Sequence, residues 1–108
     1  MFKVTLADRP EFLAGDETRL REIFHPAKHQ LNLNYSLAHG TLPSGQRSKR
    51  HVLASSEVYY FISGRGRFTI DDHVTLSEAG TTIYVPPGGQ QFVENTGETD
   101  IEFLCLVD

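Results

Sequence analysis

Cysteine is almost missing from this sequence. Cys105 is alone among 108 residues, so no intramolecular disulfide can form and no oxidising compartment is implied. The same scarcity excludes a zinc site built on a cysteine pair. No stretch approaches the roughly 18 consecutive apolar residues of a membrane-spanning helix. The N-terminal MFKVTLADRPEF has no long apolar core, so no signal peptide is expected and the cytoplasm is the expected compartment. A basic excess is lacking too: 10 Lys and Arg against 14 Asp and Glu give a net charge of −4, the wrong balance for a nucleic-acid binder. Internal repeats, low-complexity tracts, linkers and a nucleophile-elbow motif are likewise absent. Gly64-Arg65-Gly66 reads as a turn rather than a phosphate loop, because no helical pattern follows it.

What the chain does have is short runs rich in Val, Ile, Phe, Tyr and Thr, separated by Gly and Pro. At 39% hydrophobic and 22% charged it is an ordinary globular composition, and its length fits one domain over residues 1–108. The pattern predicts an all-β jelly roll or barrel. The strongest strand is Glu57 to Ile62, with others over Arg67 to Ile70, Val74 to Leu76, Thr81 to Val85, Gln91 to Glu94 and Ile101 to Val107. Glu17 to Phe24 has one turn of helical spacing in Leu20, Ile23 and Phe24, but it is short, and helix is disfavoured before the proline of His25-Pro26. It is read as a strand.

Along Asn32 to Leu42, Leu33, Tyr35, Leu37 and His39 share one face, so His39 is a candidate to point inward. By the same parity Tyr59 and Phe61 share the face of Glu57, and with Leu53 they are expected to form an apolar wall around a few polar groups, the composition of a small-molecule pocket. Cys105 lies in an apolar strand and is read as a buried, inert thiol. That strand is apolar on both faces apart from Glu102, so it is expected between packed layers or against a second copy, making a homodimer the expected assembly. Arg47, Lys49 and Arg50 read either as a solvated loop or as a positive rim that draws in an anionic ligand.

Two spacings run through the middle of the chain. In the first, Gly45 is followed by five residues and His51, Leu53 by three residues and Glu57, and Glu57 by six residues and Gly64. In the second, Gly80 is followed by five residues and Pro86-Pro87-Gly88, then Gln91 after two more and Asn95 after a further three. Held together across about 50 residues, these spacings resemble the two motifs of the cupin superfamily, over roughly residues 40–107. The resemblance implies a double-stranded β-helix, the jelly-roll barrel of small single-domain cupins. It also implies a divalent metal, such as Zn, Fe, Mn or Ni, held by inward side chains at His51, Glu57 and Gln91.

Two of the family's four ligand positions depart from its pattern, with Leu53 and Gln91 standing where the family has histidine. An amide oxygen is a neutral and weaker donor than imidazole. His39, His25 or water are the candidates for a fourth ligand; His29 and His73 fall in loops. Tyr59 and Leu53 are the candidates to contact a bound small molecule. Two functions follow. One is a metal-assisted enzyme or binder of a small oxygen-rich, carboxylate-like molecule. The other is a non-catalytic binding module with a degenerate, metal-free site.

Overall fold

The short apolar runs pair into ten strands in the computed structural model, which describes all 108 residues. They are β1 (Phe12–Leu13), β2 (Arg19–Phe24), β3 (Ser36–Leu42), β4 (His51–Val52), β5 (Glu57–Ser63), β6 (Gly66–Ile70), β7 (His73–Ser77), β8 (Thr82–Val85), β9 (Gln90–Asn95) and β10 (Ile101–Val107). A six-stranded sheet runs β1-β2-β3-β10-β5-β8, and a four-stranded sheet runs β4-β9-β6-β7. Every pairing is antiparallel. The two sheets face each other as a jelly-roll barrel, the all-β architecture expected from the sequence. No helix is long and apolar enough to cross a membrane.

Within the Glu17 to Phe24 stretch Arg19–Phe24 is a strand, as its shortness suggested, with Glu17 in the preceding turn at φ +71°. It pairs with β3 from Arg19↔Thr41 onward, and that ladder satisfies backbone groups that a marginal eight-residue helix would leave to water. Pro26 does not merely end a pattern; it opens the four-residue helix α1 (Pro26–His29). Proline suits a first helical turn because its missing N–H has no partner there anyway. The His25 Nδ1 caps the helix, accepting from the amides of Ala27 and Lys28 at 3.2 and 3.3 Å. His25 is therefore committed to local structure, and His29 lies in the same turn, its Nδ1 accepting from the His25 amide at 2.8 Å.

The core fills from alternate residues of both sheets. Glu57, Tyr59 and Phe61 on β5, Phe68 on β6, Val93 on β9, and Ile101, Phe103 and Cys105 on β10 are all buried. Tyr59 sits 4.9 Å from Phe68 and 5.3 Å from Phe103 between ring centroids, at the edge-on and tilted angles aromatic quadrupoles favour. On β3 the inward residues are Ala38, Gly40 and Leu42, set opposite Cys105, Phe103 and Ile101. A Cβ on Gly40 would lie 2.1 Å from the Phe103 ring, so glycine is what admits that ring.

This corrects the reading of Asn32 to Leu42. The strand begins at Ser36, and His39 lies on the outer face opposite Leu104. Its Nε2 is 3.1 Å from Glu102 Oε1, and the other oxygen of Glu102 accepts from the Ser63 hydroxyl. Parity misleads here because the outer face of this sheet is itself apolar, so counting hydrophobic residues does not separate inside from outside. The apolar strand β10 lies in mid-sheet between β3 and β5, with Leu104 and Leu106 half-buried on the outer face.

Candidate ligand site at one end of the barrel

The family-like spacing works by geometry. Gly64 turns β5 into β6 with φ +85°, and a Cβ there would lie 2.5 Å from the Asp100 carbonyl oxygen. Asn95 ends β9 with its side chain fully engaged. Its Nδ2 donates to the Leu42 and Thr99 carbonyls at 2.9 and 2.8 Å, and its Oδ1 accepts from the Gly97 amide at 3.0 Å. Asn95 is thus a staple between the sheets rather than a ligand.

Between these turns the two sheets bring Glu57 and Gln91 together. Glu57 opens β5, with Val107 and Val85 as its neighbours in the six-stranded sheet. Gln91 lies across the barrel on β9, and its Nε2 donates to Glu57 Oε1 at 2.7 Å. Residues 34 positions apart in sequence thus meet across the two layers, both side chains almost wholly buried, Gln91 at 0% and Glu57 at 4% exposure. The Cys105 thiol donates to the second oxygen of Glu57. Burial, and then the adjacent Glu57 carboxylate, push the Cys105 thiol far above its ordinary range. The Tyr59 hydroxyl is raised by the same two causes in the same order. Both groups keep their protons at neutral pH. Cys105 is buried, as expected, but its contact with Glu57 was not legible in the apolar run that contains it.

His51 is the direct cross-strand partner of Gln91, so its side chain lies on the same face. Its Nδ1 is 3.0 Å from the Lys49 carbonyl oxygen and 3.7 Å from Asp16 Oδ2. An Nδ1–H directed at that carbonyl leaves the Nε2 lone pair free, the arrangement that orients a ligating imidazole. Asp16 had no motif to announce it; the turn between β1 and β2 carries it here, with Oδ1 accepting from the Thr18 amide and hydroxyl. Leu53 follows β4 half-buried, its carbonyl accepting from the Gly88 amide at 2.8 Å. Tyr59 belongs to the aromatic core below Glu57.

One atom stands out. Gln91 Oε1 is buried and has no hydrogen-bond partner in the chain. Flipping the amide would only press that oxygen against the Glu57 carboxylate, so the orientation is set by Glu57. A buried acceptor without a partner is costly, and a donor or a cation would satisfy it. The donor chemistry for a divalent cation is present as one imidazole, one carboxylate and one amide oxygen. No three His, Cys, Asp or Glu side chains converge, so a cation here depends on the Gln91 oxygen. His39 and His25 do not complete the set: one is paired with Glu102 on the outer face, the other caps α1. Arg47, Lys49 and Arg50 do not rim this site either. They gather around Phe92, which neighbours Gln91 on β9 and by alternation faces the opposite side of the sheet.

Comparison with known proteins agrees with the fold and motifs. Residues 38–107 match the family model described as a cupin domain. An uncharacterized protein of Methanocaldococcus jannaschii is 33% identical over 95 residues, covering 87% of this chain and 75% of that protein. A Thermotoga maritima protein named oxalate-binding protein is 35% identical over 51 residues, 47% of this chain and 42% of that one. A Thermotoga maritima crystal structure described as a predicted oxalate decarboxylase superposes with a TM-score of 0.84 at 23% identity, covering 98% of this chain and 97% of that one. At that identity the likeness shows the fold alone.

Proposed function

The chain belongs to the cupin family, and from that premise we propose that the Glu57–Gln91 end of the barrel takes a divalent cation together with a small oxygen-rich ligand. The observation that carries this reading is the partnerless, buried Oε1 of Gln91 beside the Glu57 carboxylate. His51 Nε2, Glu57 and Gln91 Oε1 are the groups that would hold the ion. A bound divalent cation would act there as a Lewis acid and charge anchor for chelating oxygens.

Electrostatics favours a cation over a bare anion. The charge-bearing groups at this end are two carboxylates, Glu57 and Asp16, against the single imidazole of His51. A free dicarboxylate would be repelled unless a cation stood between. The likeness to an oxalate-binding protein supports a small dicarboxylate as the ligand class, reached through the metal.

A second reading has its own observation. Both oxygens of Glu57 already accept hydrogen bonds from protein donors, Gln91 Nε2 and the Cys105 thiol. A carboxylate satisfied in that way does not need a metal, and the site would then be a metal-free binding module whose ligand donates to Gln91 Oε1.

Elemental analysis of the purified protein, paired with mass spectrometry of small molecules released on denaturation, separates the two. The expected result is about one transition-metal ion per chain, reduced in His51→Ala and in Gln91→Leu while circular dichroism stays unchanged. No metal, even after incubation with Zn, Mn, Fe or Ni salts, but a released small molecule selects the second reading. Neither metal nor ligand removes both.

We also propose a homodimer, formed through the outer face of the six-stranded sheet. Val58, Tyr60, Leu104 and Leu106 lie side by side on the outer face of the six-stranded sheet, with Tyr84 beside Val58. Tyr60 and Tyr84 are exposed, leaving an apolar surface that a second copy would cover. Sedimentation equilibrium is expected to give a dimer, and Tyr60→Lys with Leu104→Lys to give a monomer; a monomeric wild type ends this proposal.

A further inference from the structure

We infer that the outer face of the four-stranded sheet carries a second site, for a small multiply charged anion, built by Arg47, Lys49 and Arg50 around Phe92. The segment bearing these residues is pinned rather than free. The Ser48 amide donates to the Val93 carbonyl at 2.9 Å, and Ser48 Oγ accepts from the Val93 amide at 2.9 Å. The Asn95 amide donates to the Gln46 carbonyl at 2.8 Å, and the Lys49 amide to the Asp16 carbonyl at 2.7 Å. Arg47 forms an isolated bridge with Glu94. Residues 46 to 49 are therefore laced to the edge of β9 and to the β1–β2 turn.

On that fixed backbone two guanidinium groups converge on one ring. The Arg47 and Arg50 Cζ atoms lie 5.8 and 5.0 Å from the Phe92 centroid. A guanidinium within about 6 Å of a ring centroid is attracted to the ring face, which has no oxygen to occupy its N–H donors, so these can grip a carboxylate or phosphate. The two arginines and Lys49 surround an open cavity of about 370 Å³, completed by Ser48, Phe92 and Glu17.

The charges there are unbalanced. Glu17 pairs with Lys49 at 3.2 Å, and Arg67 holds Glu94 at 3.0 Å. Neither Arg47 nor Arg50 is paired with a carboxylate; Arg50 has only a long contact of 3.4 Å to the Gln90 amide oxygen. Three cations thus share one carboxylate in a chain whose net charge is −4. Gathering like charges costs free energy, and the two acidic residues near the arginines, Glu17 and Glu94, are already engaged by Lys49 and Arg67. A multiply charged anion, with oxygens for two guanidinium edges and the Lys49 ammonium, supplies what is missing. Because Phe92 and Gln91 face opposite sides of β9, the site opens away from the barrel interior.

The test uses the full chain, treated with chelator, and titrates inorganic phosphate and then pyrophosphate by ¹H–¹⁵N NMR and calorimetry. The expected result is saturable shifts confined to residues 46–50 and Phe92, tighter for pyrophosphate and weakening with salt. Arg47→Gln with Arg50→Gln should lower affinity at least tenfold. Glu17→Gln, an exposed change that frees Lys49, should raise it several-fold, an outcome that misfolding cannot mimic. Gln91→Leu should leave it unchanged, which separates this site from the proposed metal site. Shifts that never saturate, an unaltered affinity in the arginine double variant, or an affinity lost with Gln91→Leu would each overturn the inference.

Discussion

One face of one strand shows two regimes of physical chemistry. Glu57, Tyr59 and Phe61 follow each other along the inner side of β5, all buried. At the Phe61 end the interior is aromatic, with Phe61 6.1 Å from Phe68 and 5.9 Å from Phe103 between centroids. At the Glu57 end it is a polar network with a carboxylate, an amide, a thiol and, beyond them, an imidazole. The aromatic end is non-directional burial that stabilises the fold. The polar end is directional and leaves one buried acceptor, Gln91 Oε1, without a partner. Tyr59 bridges the regimes, its ring in the core and its hydroxyl under the influence of Glu57.

Substitutions should separate the two ends. Phe61→Ala is expected to have the largest effect, about 3–5 kcal/mol in urea unfolding, because it removes a fully buried ring from a close-packed cluster. His51→Ala at the other end should cost under about 1 kcal/mol while impairing metal uptake, since its side chain is 23% exposed. A large destabilisation by His51→Ala would contradict the division. Next in size is Asn95→Ala, at about 2–3 kcal/mol, because it strands the Leu42 and Thr99 carbonyls and the Gly97 amide. Its effect should fall on stability and leave metal content per folded chain unchanged.

The remaining effect is a pH dependence. In the folded chain the Cys105 thiol holds its proton to higher pH than in the unfolded chain. Above the ordinary thiol range, about pH 8.5, the unfolded state binds fewer protons, so stability is complete below that pH and falls above it. The slope approaches about 1.4 kcal/mol per pH unit, and Tyr59 adds its own above about pH 10. Cys105→Ser keeps a hydrogen-bond donor but does not ionise in this window. Chelator-treated wild type is therefore expected to lose stability from about pH 8.5, and the serine variant only from about pH 10, as read by urea midpoints.

Much of this was legible in the sequence, and for definite reasons. Strand periodicity put Glu57, Tyr59 and Phe61 on one face, because the period of two is a property of the backbone and does not depend on neighbours. The turns were legible because Gly and Pro punctuate the chain where its direction must change. The spacing of the two motifs carried the resemblance that placed Glu57 and Gln91 in one interior.

Other features belonged to the tertiary structure alone. His39 faced outward because Phe103 occupies the space inside Gly40, and no local pattern records the volume of a residue 63 positions away. The basic segment was visible, but whether it opened on the interior or the outer face depended on which edge of β9 it was laced to. Asp16 and Cys105 approach the site through turns and pairings distant in sequence. The chain by itself thus determined which residues alternate and where they turn, since those are set by bonded geometry. Which charges meet, and which buried oxygen is left without a partner, was decided only when two sheets closed over each other, because electrostatics and packing act through space.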